Sequence, residues 1–315
     1  MHTTPLESTL SSVALGLEAT YRNLTMYPLL RRGARGGPAL DYATLDEGLA
    51  IGDVDVTEIS EQGSVPELRV VNRGRQALLV LDGEELVGAK QNRVVNLTIM
   101  VPAEFELRIP VSCVEAGRWR HRSRSFSSAP RTQYASGRAR RMSQVTSSME
   151  MRGMYCSDQA DVWSHIAEKS AKLRTASPTG AMEAIFTDHA SFIDSCVSAL
   201  QPADGQVGAL FAVNDRIVGF DLFDDERTLR TLLPKIVRSV AVDALDSPAP
   251  DKDKPVIPVP LRSMCEQFMA AVGQSPAHSA PAVGLGADVR LTAHGLTGAA
   301  LVVEEQVVHL SAFAQ

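Results

Sequence analysis

Between residues 54 and 119, apolar side chains alternate with polar ones over short stretches rich in β-branched residues. Val54–Ile59, Glu67–Asn72, Ala77–Leu81, Glu85–Gly88, Arg93–Val101 and Phe105–Val114 are short stretches set off by Gly, Pro, Asn or Asp at or near their bounds. A period of two bounded by turn residues predicts strands, and a run of them predicts a sandwich or small barrel. Upstream, residues 1–40 open with a helix-like start, pass through the apolar Asn23–Leu30 and enter the turn-rich RRGARGGPA. Tyr42–Ala50 predicts a short helix or turn.

After residue 153 the period changes to that of a helix. Ser157 has the character of an N-cap for a helix running to Arg174, with Val162, Ile166, Ala167 and Leu173 on one face. A second helix is predicted over Thr179–Leu200, striped by Met182, Ile185, Phe186, Phe192, Ile193, Val197 and Leu200. Gly208–Val213 and Arg216–Phe223 flank Asn214-Asp215, the signal of a two-residue hairpin. Glu226–Leu245 predicts a helix in which Pro234 implies a kink or a late start. The proline-rich 247–260 reads as a linker or surface crossing, Leu261–Val272 as a helix, and Ala299–Phe313 as a hairpin turning at Glu304-Glu305. Residues 120–153 are dominated by Ser and Arg without apolar periodicity, which predicts a long loop.

The fold expected is therefore α+β. A β-rich half, residues 20–119, forms a β-sandwich or barrel-like unit. The Arg/Ser-rich loop 120–153 follows. The helical and hairpin half, 154–313, packs on the first within the same compact domain, with two C-terminal hairpins.

Strand parity singles out one cluster. In 105–113 the odd positions Phe105, Leu107, Ile109, Val111 and Cys113 are apolar, and that face ends in Glu115. In 93–101 the odd positions Val95, Leu97, Ile99 and Val101 are apolar, and that face begins with Gln91 and Arg93. A hairpin closed at Pro102-Ala103-Glu104 sets Val101 opposite Phe105, Val95 opposite Val111, Arg93 opposite Cys113 and Gln91 opposite Glu115, unless Pro110 forms a bulge. Arg93 and Glu115 become diagonal neighbours at the end of an apolar face, where a charge needs a partner or a ligand. Two readings remain open. An Arg–Glu pair can simply seal the rim, with Cys113 as a small buried hydrophobe. Alternatively, with Lys90 beside them, these groups line a concave rim for an anionic, sugar-containing ligand, with Glu115 or Glu85 as general base and Trp119 stacking on a base or ribose.

Composition narrows the picture. At 44% apolar and 22% charged over 315 residues, the chain can bury a sizeable core. A formal charge of −6 argues against a nucleic-acid or membrane-surface binder as a whole. Eight arginines lie between Arg118 and Arg141 with Trp119, Phe126 and Tyr134 among them. They read either as a solvated loop, inflated by a genome that favours Arg over Lys, or as a lid over an anionic ligand. The four cysteines form no CxxC pair, and His165, His189, His278, His294 and His309 show no metal-ligand spacing. No cofactor motif stands out. Glu84-Glu85 reads as the flank of a turn or as an acid/base pair; Asp221, Asp224 and Asp225 most simply open a helix. The first 20 residues lack the layout of a secretion signal, and no apolar run is long enough to cross a membrane, which leaves a cytoplasmic location as the expectation.

LDGEELVGAKQNRVVN (81–96) and PVSCVEAGRW (110–119) resemble the ADP-ribosylglycohydrolase-and-rhodanese/phosphatase-associated protein domain family. GALFAVNDRIVGFDLF (208–223) and VVHLSAF (307–313) resemble it too, so the likeness runs over roughly residues 20–313. The resemblance implies work on NAD-derived or ADP-ribose-like nucleotides. It marks Glu84, Glu85, Lys90, Gln91, Asn92, Arg93, Asn96, Cys113, Glu115, Arg118, Trp119 and Asp221 as motif positions, without an established role for any. On this basis the expected catalytic groups are Glu115, Glu85 and Cys113. The expected ligand contacts are Lys90, Gln91, Asn92, Arg93, Asn96, Arg118 and Trp119. The expected activity is hydrolysis of a small anionic nucleotide; a non-catalytic nucleotide sensor and an oligomeric scaffold for a partner enzyme are the alternatives.

Overall fold

The structure is a computed structural model describing residues 4–33, 38–60, 63–247 and 261–315. In chain order, α1 (Pro5–Ser11) is capped by Thr4 and followed by β1 (Val13–Leu15), β2 (Ala19–Tyr21) and β3 (Leu24–Arg31). Next come β4 (Tyr42–Thr44), α2 (Leu45–Ile51), β5 (Val54–Glu58), β6 (Glu67–Asn72), β7 (Ala77–Val80) and β8 (Glu84–Gly88). Then β9 (Arg93–Val95), β10 (Ile99–Val101), β11 (Phe105–Cys113) and β12 (Phe126–Thr132) lead into α3 (Ala135–Arg152) and α4 (Gln159–Lys172). The remainder is α5 (Glu183–Asp188), α6 (Ala190–Ala199), β13 (Gln206–Val213), β14 (Arg216–Phe223), α7 (Glu226–Asp246), α8 (Leu261–Gln274), β15 (Ala277–Pro281), β16 (Ala287–Ala293), β17 (Leu296–Val303) and β18 (Gln306–Ala314). The fold is α+β and includes a sheet curled into a half-barrel.

Three sheets organise these elements. A nine-stranded antiparallel sheet runs β1-β3-β13-β14-β18-β17-β16-β15, with β2 also on β3. A six-stranded sheet runs β12-β8-β9-β11-β6-β5, and a three-stranded one β10-β7-β4. The two smaller sheets enclose one apolar cluster around Val56, Val70, Val80, Leu86, Val95, Ile99 and Ile109. The large sheet is apolar on both faces. Phe220 and Leu222 of β14 pack with Met269 of α8 on one side. On the other, Phe223 shares a cluster with Met142 of α3 and Leu229, Leu233 and Val237 of α7.

The six strand stretches read from residues 54–114 are present, with one difference. Arg93–Val101 does not run as a single strand: β9 pairs with β11, and β10 leaves to pair with β7. All three residues of β10 are buried, so the segment needs cover on both faces, which a simple hairpin does not provide. Val101 therefore faces Leu78, and Phe105 faces Asn72. The expected register survives where β9 and β11 do pair, with Val95 opposite Val111 and Arg93 opposite Cys113. Pro110 stays in register opposite Glu67.

The segment 120–153 is not a loop. It holds β12 and the 18-residue α3. The buried positions of α3 include Ala135, Arg138, Ala139, Met142 and Val145. That is helical spacing, hidden because an arginine occupies a core position.

Further differences are smaller. Asp158, not Ser157, caps α4, accepting from the backbone N–H of Ala160 and Asp161. The helix expected over Thr179–Leu200 is two, α5 and α6, parted at His189, and Ala181 bridges to Glu115 as extended chain. α7 runs through Pro234 without ending. Pro234 and Arg230 are both exposed, so the carbonyl that lacks a donor faces water. Both expected hairpins form, with positive φ at Asn214, Asp215, Glu304 and Glu305 as a primed turn requires. Strands β15 and β16 carry no signal that the sequence reading used. Most of the proline-rich 247–260 lies outside the described residues. Among the described residues no helix is long and apolar enough to cross a membrane.

Candidate functional site

The loop joining β8 to β9, residues 89–92, gathers most of the candidate side chains. Asn92 is its centre. Its backbone N–H donates to Glu115 Oε2 at 3.2 Å, and its Nδ2 donates to Glu85 Oε1 at 3.3 Å and Glu183 Oε2 at 3.4 Å. Its Oδ1 accepts from Arg118 Nη2 at 3.1 Å. Arg118 Nε in turn donates to Glu115 Oε2 at 2.8 Å, and Thr179 Oγ1 donates to Glu115 Oε1 at 2.8 Å. Arg131 of β12 donates to Glu85 at 2.5 Å and lies 3.5 Å from Glu183. One network thus joins β8, the 89–92 loop, the end of β11, β12 and the start of α5.

The two carboxylates proposed for acid/base work differ. Burial acts to raise the Glu115 carboxyl, but hydrogen bonds from Arg118, Thr179 and the Asn92 backbone outweigh it and hold it below its usual range. Both its oxygens are occupied, so it is a poor proton acceptor. Glu85 is fully buried, and desolvation raises its carboxyl above the usual range despite Arg131. Cys113 is fully buried, and loss of solvent pushes its thiol up to about 11, which makes it a small hydrophobe rather than a nucleophile at neutral pH.

Arg93 and Glu115 are not bonded partners. Glu115 pairs with Arg118, whereas Arg93 Nη1 donates to Gln91 Oε1 at 3.1 Å and Arg93 Nη2 lies 3.8 Å from Glu58 Oε1. The cause is the extended pairing of residues 114–117 with 179–182, which supplies Thr179 to Glu115 and brings Arg118 back over it. Around Arg93, Trp119 is half exposed, with the Lys90 ammonium 5.4 Å and the Arg93 guanidinium 5.8 Å from its ring centre. Among the described residues, Arg93 Nε and Nη2 and both Glu58 oxygens are buried without a hydrogen-bond partner. Each such group costs about 1–3 kcal/mol or more.

Beside the Asn92 network opens a hollow of about 420 Å³, lined by Glu115, Arg118, Arg120, His121 and Arg122. Arg122 reaches Glu183 at 3.9 Å, which ties the hollow to the Glu85 pair. The lining of the hollow lies entirely in residues 114–125, the chain between β11 and β12.

Asn96 lies elsewhere. It donates to the Tyr155 carbonyl and accepts from Ser112, so it ties the sheet to the α3–α4 connection. Glu84 is also separate, pairing with the buried Lys235, which Asp46 and Ser128 share. Asp221 belongs to a third cluster, fully buried. Arg138 of α3 meets Asp221 through both Nη atoms, at 3.0 and 2.7 Å, and Asp82 at 3.2 Å. His309 bridges Asp221 and Thr98. Burial would raise the Asp221 carboxyl, but Arg138 and His309 hold it far below its ordinary range.

Glu58, Thr179, Glu183, Arg131 and Arg138 are the partners that the sequence reading missed. Glu183 and Arg131 carry no motif of their own. Glu58 ends a clean strand pattern, where a carboxylate on the inward parity was the available signal. Among the described residues no group of three or more His, Cys, Asp or Glu has the arrangement of a metal site.

A mixed-charge network at the end of a β-sheet thus borders a hollow lined by three arginines, a histidine and Glu115 in an α+β domain. The chain belongs to the family described as the ARG and Rhodanese-Phosphatase-superfamily-associated Protein domain (ARPP-1), matched over residues 12–313. Comparison with curated proteins and with solved structures gave no match.

Proposed function

We propose that the chain binds a small phosphate-bearing nucleotide of the ADP-ribose class, with its phosphates in the hollow at Arg118–Arg122. The observation that carries this is the charge of the wall. Three arginines and a histidine face a single carboxylate, Glu115, and Arg118 already compensates it. Arg120 and Arg122 thus remain available to an anion, Arg122 only loosely held by Glu183. The association of the family with ADP-ribosylglycohydrolases supports the nucleotide class. Calorimetric titration with ADP-ribose should show binding that weakens as salt rises. Arg120→Ala and Arg122→Ala should each weaken it about tenfold, the worth of one charge-assisted hydrogen bond. Absence of binding by ADP-ribose, AMP and pyrophosphate at millimolar concentration would overturn the reading.

Hydrolysis of the same ligand is a second reading, favoured by Glu85. Its raised carboxyl connects through Asn92 and Arg131 to Glu183 at the edge of the hollow. Under this reading incubation with ADP-ribose yields separated products, and Glu85→Gln abolishes turnover while binding persists. Intact ligand after incubation with wild type leaves binding alone.

A further inference from the structure

Three carboxylates meet Asn92, and one of them is left open to solvent. Glu115 takes two bonds at 2.8 Å, from Arg118 and Thr179, and is buried. Glu85 takes Arg131 at 2.5 Å and is wholly buried. Glu183, in the first turn of α5, has a side chain 34% exposed, and its contacts are long. Asn92 Nδ2 stands 3.4 Å from its Oε2, Arg131 Nη2 3.5 Å from its Oε1 and Arg122 Nη1 3.9 Å from its Oε2. Asn92 and Arg131 are buried and hold the carboxylate from behind, whereas Arg122 is 65% exposed. An exposed ion pair at that distance contributes little, so Arg122 is easily drawn away. Arg122 lines the hollow, and Arg118, which also lines it, donates to Asn92. Glu183 therefore stands at the rim of the basic hollow as an acceptor that no short bond saturates.

A carboxylate beside a phosphate site has a narrow use. It repels another anion and, when ionised, only accepts hydrogen bonds. On a nucleotide, the neutral donors one sugar away from the phosphate are the 2′- and 3′-hydroxyls of ribose, two O–H groups side by side. An acidic side chain takes a ribose hydroxyl in this way in dinucleotide-binding folds. We infer that Glu183 accepts from the ribose diol of a nucleotide whose phosphate lies on Arg120 and Arg122. A phosphate that engages Arg122 removes the cation on the solvent side of Glu183, while Asn92 and Arg131 keep the carboxylate in place. The inference rests on the phosphate reading above and adds to it the selection of ribonucleotides over deoxyribonucleotides.

The test titrates the full chain with AMP, 2′-deoxy-AMP, 2′,3′-dideoxy-AMP and pyrophosphate by calorimetry. AMP should bind about tenfold tighter than the dideoxy compound, the low end for a hydrogen bond to a charged group, with the 2′-deoxy compound between them. In Glu183→Gln that ratio should fall close to one. Pyrophosphate should bind this variant no more weakly than wild type, because a negative charge has left the rim. Should Glu183→Gln fail to fold, the wild-type ratio decides. Equal affinity of wild type for AMP and dideoxy-AMP overturns the inference, as does an unchanged ratio in folded Glu183→Gln. Equal loss of AMP and pyrophosphate affinity in that variant marks a purely structural role and overturns it too. If neither pyrophosphate nor AMP binds at millimolar concentration, the phosphate reading has failed and takes this inference with it. Binding of pyrophosphate without any preference for the diol overturns this inference alone.

Discussion

At the scale of single residues, burial sorts the charged side chains into those that hold the fold and those left to act. Glu115 accepts from Arg118, Thr179 and Asn92, so it positions the wall of the hollow. Glu115→Ala removes the only charged partner in that set, but Arg118 keeps the carbonyls of Ala89 and Gly88. The expected loss is about 3 kcal/mol, the low end for breaking a buried pair, read from urea unfolding. Asp221 offers a sharper test. Its folded-state carboxyl is depressed, so its contribution is complete above the ordinary Asp range near ~3.9 and fades as pH falls below it. Asp221→Asn should flatten the acid limb of the stability profile and cost about 3–5 kcal/mol at neutral pH, because Arg138 then lies buried without its bidentate partner. An acid limb as steep as in wild type would exclude this account. Glu85 has the opposite sign. Its raised carboxyl makes folding less favourable as pH rises from the ordinary Glu range toward the folded value, so Glu85→Gln should remove that decline.

At the scale of elements, α3 shows how far local pattern can mislead. Its sequence ASGRARRMSQVTSSMEMR has few large apolar residues, yet Arg138 and Arg141 sit where leucines would in an ordinary core helix. They are tolerated because Asp82 and Asp221 wait opposite them. Ser147 is exposed on this helix. Ser147→Pro should cost about 3 kcal/mol or more and reduce helical circular dichroism, whereas a loop would accept the change nearly free of effect. The strand expectations fared better because β5 and β6 each have a buried face and a half-exposed one, which writes the period of two into the text. β10 is buried on both faces, so parity could not say which sheet it joins.

At the scale of the whole molecule, the Asp82–Arg138–Asp221 cluster links the turn between β7 and β8, helix α3 and the centre of the large sheet. Strands from both ends of the chain share that sheet, β3 with β13 and β14 with β18. Such cross-linking predicts one cooperative transition in calorimetry, with coincident near- and far-ultraviolet melts. Two resolved transitions would count against it.

Alternation and helical stripes are local properties, so the chain alone determined the α+β class, the two hairpins, the register of Arg93 against Cys113, and the break between strands at 89–92. Only the tertiary structure decided how the charges pair. Glu115 takes Arg118, Glu85 takes Arg131, and Arg93 is left facing Glu58 across residues far apart in sequence. A buried charge is neutralised by whatever the fold brings within a few ångströms, and that distance is set by packing among elements, which sequence spacing does not encode.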